Sequence, residues 1–121
     1  MSAHDGPIRV LLVEDNDVYR DSLVFLLGAR TGLEVVGAEA TGEGAIRRAR
    51  ELEPDVSVVD LRLPDIDGGT VAASLEGAVV FLSASAGEAE YDAASGAGAA
   101  LVRKDEGLDA LLGAIRAAAG R

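Results

Sequence analysis

The sequence predicts an α/β fold in which five parallel strands form one open sheet with helices on both faces, a three-layer doubly wound arrangement. Three observations predict it. Short apolar runs rich in β-branched residues alternate with segments of helical periodicity along the whole 121 residues. The runs are nearly continuous in apolar character, as strands covered on both faces must be. Turns containing glycine or proline separate the elements, and no internal repeat, linker or low-complexity tail interrupts them. A chain of this length is one domain with a single core, residues 1–121, of which 1–7 form an N-terminal tail.

Ile8–Val13 (Ile-Arg-Val-Leu-Leu-Val) is the first strand. Asn16 or Asp17 can cap the helix that follows. Its Tyr19, Leu23, Leu26 and Leu27 fall at i, i+4, i+7 and i+8, one apolar stripe, and Gly28 to Gly32 closes it. Leu33–Ala38 is the second strand. A loop through Gly42 and Gly44 leads into a second helix, striped by Ala45, Ala49 and Leu52 and stopped before Pro54. The third strand, Asp55–Asp60, ends where Pro64, Asp65, Asp67 and the Gly68-Gly69 pair turn the chain. A short third helix is expected over Thr70–Leu75, ended by Gly77. Ala78–Leu82 is the fourth strand. A weak helix over Glu88–Ser95 is flanked by Gly87, Gly96 and Gly98, and this Ala/Gly-rich segment has low intrinsic stability. Ala99–Arg103 is the fifth strand. Leu108, Leu111, Leu112 and Ile115, at i, i+3, i+4 and i+7, stripe a last helix that stops at Gly120.

Composition narrows the function. Apolar residues make up 49% of the chain, with two Phe, two Tyr and no Trp, so the core is aliphatic. The absence of cysteine excludes disulfides and thiolate metal sites. No apolar run reaches membrane-spanning length and Met1–Pro7 lacks signal-peptide features, so a soluble, cytoplasmic chain is expected. A net charge of −10 argues against direct binding of nucleic acid, which calls for a basic face.

In a parallel sheet all strand C-termini lie on one edge, so Glu14/Asp15, Asp60, Ser83 and Lys104 converge there. Carboxylates about 4 Å apart near the surface repel by roughly 4 kcal/mol per pair, and such a cluster wants a cation. Oxygen donors suit Mg²⁺ or Mn²⁺ rather than zinc. Asp60 is then either a ligand or a nucleophile that attacks a phosphoryl group to give an acyl phosphate. In that chemistry the Ser83 hydroxyl and Lys104 ammonium would bind phosphoryl oxygens. Lys104 is the one lysine beside ten arginines, and a compact ammonium fits a small crevice where a guanidinium fork would not.

The runs Val-Leu-Leu-Val-Glu14-Asp15-Asn16, Val-Val-Asp60-Leu-Arg-Leu-Pro64-Asp-Ile-Asp-Gly68, Phe-Leu-Ser83-Ala84 and Val-Arg-Lys104 resemble the receiver domain of two-component response regulators. The resemblance spans essentially the whole chain. It implies a flavodoxin-like (βα)5 fold with sheet order 2-1-3-4-5, from which this chain departs in a shortened third helix. It also implies Asp60 as phosphoacceptor, Asp15 as direct Mg²⁺ ligand, Glu14 acting on the metal through water, and the Arg62 carbonyl as a further ligand. Ser83 becomes the switch hydroxyl and Lys104 the phosphate-sensing cation. The implied donor is a sensor histidine kinase. The implied reader is an output partner or a C-terminal DNA-binding domain, since Gly32–Gly37 is similar to the subgroup carrying a helix-turn-helix. A homodimer is among the implied assemblies, and the domain is not a turnover enzyme, although it catalyses its own phosphorylation and hydrolysis.

Two departures from the family stand out. Leu101 holds the place of an aromatic that changes rotamer on activation, and Asp105 follows Lys104 where Pro is commoner. The Asp105 variation also occurs in the helix-turn-helix subgroup, whereas Leu101 and the shortened helices favour an alternative: a receiver-like interaction module independent of phosphorylation. The intact acid cluster, Ser83 and Lys104 weigh against it. A phosphohydrolase of the haloacid dehalogenase-like group would need a second Asp two residues after the nucleophile, where this chain has Arg62. His4, the one histidine, lies in the N-terminal tail and offers no donor site.

Overall fold

A computed structural model describes residues 6–84, 87 and 99–121. Five strands, β1 (Ile8–Val13), β2 (Leu33–Glu39), β3 (Val56–Asp60), β4 (Ala78–Ser83) and β5 (Ala100–Arg103), form one parallel sheet in the order β2-β1-β3-β4-β5. The expected order is found. The described helices are α1 (Asp17–Gly28), α2 (Gly42–Leu52), α3 (Gly68–Ala73) and α4 (Leu108–Ala118). The helix expected over Glu88–Ser95 lies outside the described residues.

Successive strand residues face opposite sides of the sheet, which divides the core in two. Val10, Leu12, Val56, Val58, Val80, Leu82 and Val102 pack with Leu23 and Leu27 of α1 and Leu111, Leu112 and Ile115 of α4. Leu11, Val13, Val59 and Phe81 pack on the other side with Ala45 of α2 and Val71 of α3. β3, the central strand, is buried at all five positions, so the carboxylate at its end is held by a fully enclosed strand.

Several local readings need correction. Leu26 is exposed; Leu23 and Leu27 face the core, with Val24 packed beside them. α1 is rolled toward its Val24 side, which lifts Leu26 off the edge of the stripe. Asn16, not Asp17, caps α1, its side chain accepting from the Tyr19 N–H. Gly42 and Gly44 are not loop residues but the first turn of α2. The Thr41 hydroxyl accepts from Gly44 N–H, and the Asp65 carboxylate accepts from Gly42 and Glu43 N–H. Those acceptors satisfy donors that a helix start otherwise leaves unpaired, which outweighs the poor helix propensity of glycine. Likewise α3 starts at Gly68 rather than Thr70, capped by Asp67, which accepts from both the N–H and the hydroxyl of Thr70. Glycine is required at position 68 because a Cβ there would stand 2.5 Å from the Asp60 carbonyl oxygen. With six residues, α3 is as short as the sequence implies.

Candidate functional site

Glu14 is the first residue after β1, and its side chain is fully buried (0% exposed). Oε2 accepts from Asn16 N–H at 2.9 Å. Oε1 lies 2.5 Å from Lys104 Nζ, an ion pair off the directed geometry, and accepts no hydrogen bond among the described residues. Asp60, at the end of β3, is 5% exposed. Its Oδ1 accepts from Arg62 N–H at 2.8 Å and its Oδ2 from Lys104 Nζ at 3.1 Å. Asp15 is exposed beside them, and the three carboxylates offer oxygens within 4.8 Å of one another. Lys104 opens a single 3₁₀ turn, Lys104–Glu106, directly after β5, and its ammonium bridges Glu14 and Asp60.

The electrostatics follow from this burial. Desolvation pushes the Glu14 carboxyl above the ordinary carboxylate range, against the opposing pull of Lys104 and of Asn16 N–H. Burial alone would lower the Lys104 ammonium, but the Glu14 and Asp60 carboxylates outweigh it and hold the ammonium above the ordinary lysine value. The two directions are compatible because Glu14 is wholly enclosed whereas about a fifth (21%) of the Lys104 side chain still meets solvent.

The expectation of a near-surface acid cluster is thus corrected. Two of its carboxylates are buried, because β1 and β3 are the inner strands of the sheet. Three carboxylates against one ammonium leave two formal negative charges, the complement of a divalent cation. An all-oxygen donor set of this charge fits Mg²⁺.

The structure brings Glu14, Asp15, Asp60 and Lys104 together. It places Ser83, buried at the end of β4, on the same sheet edge, with its predecessor Leu82 in register with Asp60. Arg62 contributes its N–H to Asp60 while its side chain is exposed. Two residues at the site do not read as site residues in the sequence, where Tyr19 belongs only to the apolar stripe of α1. The Tyr19 ring lies with its centroid 4.7 Å from Lys104 Nζ, and Arg20 Nη1 donates to the Glu14 carbonyl at 2.9 Å. Both sit in the first turn of α1, directly behind Glu14-Asp15, and that adjacency was the available signal.

A family model described as the response regulator receiver domain matches residues 10–116. The chain belongs to that family. Among solved structures, a two-component response regulator of the LuxR family from Aurantimonas sp. SI85-9A1 superimposes with a TM-score of 0.88 at 31% identity, covering 96% of this chain and 88% of that one. Response regulator GacA of Pseudomonas viridiflava is 44% identical over 61 residues, half (50%) of this chain and 28% of that protein. Protein-glutamate methylesterase/protein-glutamine glutaminase 2 of Anaeromyxobacter dehalogenans (strain 2CP-C) is 41% identical over 68 residues, 56% of this chain and 20% of that protein. The chain therefore spans less than a third of the length of these curated relatives. As a receiver domain its role is in two-component signalling, and its Glu14, Asp15 and Asp60 form an acidic pocket that could hold a metal ion. Among the described residues no helix is long and apolar enough to cross a membrane.

Proposed function

We propose that this receiver domain accepts a phosphoryl group on Asp60 from the phosphohistidine of a sensor histidine kinase in the cytoplasm. Ser83 and Lys104 then transmit its presence to a partner-binding surface. The observation that carries the reading is the Lys104 ammonium bridging buried Glu14 and Asp60 beside the exposed carboxylate of Asp15.

An Asp60 carboxylate oxygen attacks phosphorus, the bond from phosphorus to the donor imidazole nitrogen breaks, and that nitrogen keeps the electron pair. The product is an acyl phosphate. The Arg62 N–H fixes Oδ1, so the carboxylate meets the donor in one orientation. Asp15, Asp60, Glu14 through water, and the Arg62 carbonyl would hold Mg²⁺, which when bound offsets charge on the equatorial phosphoryl oxygens. Lys104, already within hydrogen-bond distance of Asp60, binds one phosphoryl oxygen as a point charge, and the Ser83 hydroxyl binds another. The reader of the resulting surface is an output partner or a C-terminal DNA-binding domain.

Incubation with acetyl phosphate and Mg²⁺ should add one phosphoryl group, labile at alkaline pH, that Asp60→Asn abolishes. Intact-mass spectrometry showing equal labelling of that variant would remove Asp60 as acceptor. A second reading, partner binding that ignores phosphorylation, draws on Leu101, which packs on the α2/α3 side of the sheet beside Phe81. A partner affinity unchanged by phosphorylation would select it.

A further inference from the structure

We infer that Tyr19 is a positioning residue for Lys104: its ring face holds the ammonium at the point where it bridges Glu14 and Asp60. The inference deepens the phosphoryl-accepting reading and rests on it for its consequence, though not for its geometry.

Lys104 reaches its place on a four-carbon stem with several free torsions, so something must select one arrangement. An ammonium carries three donor protons. Its contacts with Glu14 Oε1 and Asp60 Oδ2 place it between β1 and β3, and on a further side it faces the Tyr19 ring at 4.7 Å. That distance is inside the range of about 6 Å over which a ring quadrupole attracts a cation, and the half-buried setting reduces screening by water.

The ring is itself held in register with the carboxylates. Glu14 Oε2 accepts from Asn16 N–H, and Asn16 Oδ1 accepts from the N–H of Tyr19. Tyr19 packs against the Leu23–Leu27 side of the core and faces Lys104, which returns to Glu14. The contacts close a circuit of four residues: Glu14, Asn16, Tyr19 and Lys104. No equivalent support comes from position 101, because Leu101 packs with the opposite half of the core. Among the described residues, Tyr19 is thus the one aromatic set against the site's cation.

Because Lys104 is the chain's one lysine, protein labelled with ¹³C,¹⁵N-lysine gives a single set of lysine side-chain NMR signals. The ring current should move the Lys104 Hε signals upfield of a free lysine in the wild type and in Tyr19→Phe. In Tyr19→Leu they should return toward the free position. Beryllofluoride binding in the presence of Mg²⁺, followed on backbone amides, should weaken about three- to tenfold in Tyr19→Leu and remain within about twofold of wild type in Tyr19→Phe. Hε signals at the free-lysine position in the wild type, or unmoved in Tyr19→Leu, overturn the inference. So does equal weakening of beryllofluoride binding by Leu and Phe, which would place the effect in the hydroxyl or in general packing. A wild type that shows the ring-current shift but binds no beryllofluoride instead overturns the phosphoryl-accepting reading, and leaves the positioning of Lys104 standing.

Discussion

Asp15→Ala should make the metal-free protein more stable while abolishing its response to Mg²⁺. Asp15 is the exposed member of the acid cluster, and Lys104 pairs with the other two carboxylates rather than with it. At separations of up to 4.8 Å, each like-charged pair would repel by about 3.5 kcal/mol in a medium of effective dielectric constant near 20. Water around Asp15 screens that to about 0.5–1 kcal/mol per pair, and part of it is offset by the lost long-range attraction to Lys104. The expected net gain is about 1 kcal/mol, or about 4 °C in Tm for a domain of this size. Thermal melts at pH 7 in EDTA measure it. Added Mg²⁺ at a hundredfold excess over its Kd should stabilise the wild type by about 2.7 kcal/mol, because it binds the folded state alone. The variant should not respond, so the order of the two melting temperatures inverts as Mg²⁺ is added. If Asp15→Ala melts below wild type in EDTA, the carboxylates are not mutually strained. An undiminished Mg²⁺ response in the variant would mean that Asp15 is not a ligand.

Lys104→Met should destabilise the metal-free fold by about 3 kcal/mol at pH 8, because it leaves the buried Glu14 carboxylate without its cation. The Glu14 carboxyl is already raised above 4.5 by burial, so ionised Glu14 lowers stability as pH rises through its folded value, and the deficit should shrink in urea melts at pH 5. Asp65 is held below 3.8 by the Glu43 and Gly42 N–H groups, so its contribution is present above that value and is lost as pH falls through the folded one. Asp65→Asn should therefore melt below wild type at pH 7, with the gap closing in acid; a gap independent of pH would locate the effect elsewhere. Gly68→Ala should cost about 1–3 kcal/mol, since the new Cβ meets backbone rather than a side chain that can swing away. Circular-dichroism melts check it, and a variant as stable as wild type would show that the loop after β3 gives way freely.

The strands and their order were legible because each is an apolar run bounded by turn residues, and five such runs alternating with helices leave few topologies open. The convergence of Glu14, Asp15, Asp60 and Lys104 was legible for the same reason: parallel strands end on one edge. Burial at that edge was not. Glu14 reads as one of three acids in Glu14-Asp15-Asn16-Asp17, and its enclosure follows from β1 lying inside the sheet with Arg20 and Asn16 folded over it. The glycines misled for a related reason. Gly42, Gly44 and Gly68 look like helix breakers, yet a Cβ at each would stand within 3.0 Å of a neighbouring atom, and at Gly68 that atom is backbone and cannot swing away. Close packing, which single-residue propensity does not record, places them inside helices.

How the buried charge is satisfied also says what the site depends on. Glu14 Oε2 takes its donor from Asn16 and Asp60 Oδ1 from Arg62, each two residues along the chain. The Glu14 carbonyl takes a donor from Arg20, six residues on. These contacts are local, and the turns after β1 and β3 bring them along as they form. Lys104 is different, because it lies 44 residues beyond Asp60 and is carried by the end of β5, which pairs with β4. Without it, Glu14 Oε1 and Asp60 Oδ2 would lack their ammonium partner, and a buried carboxylate so placed must stay hydrated or hold a proton. The acid cluster is therefore prepared by β1 and β3 but completed by the last strand. That places the chemistry of the site and the docking of the C-terminal β5–α4 unit under one structural control.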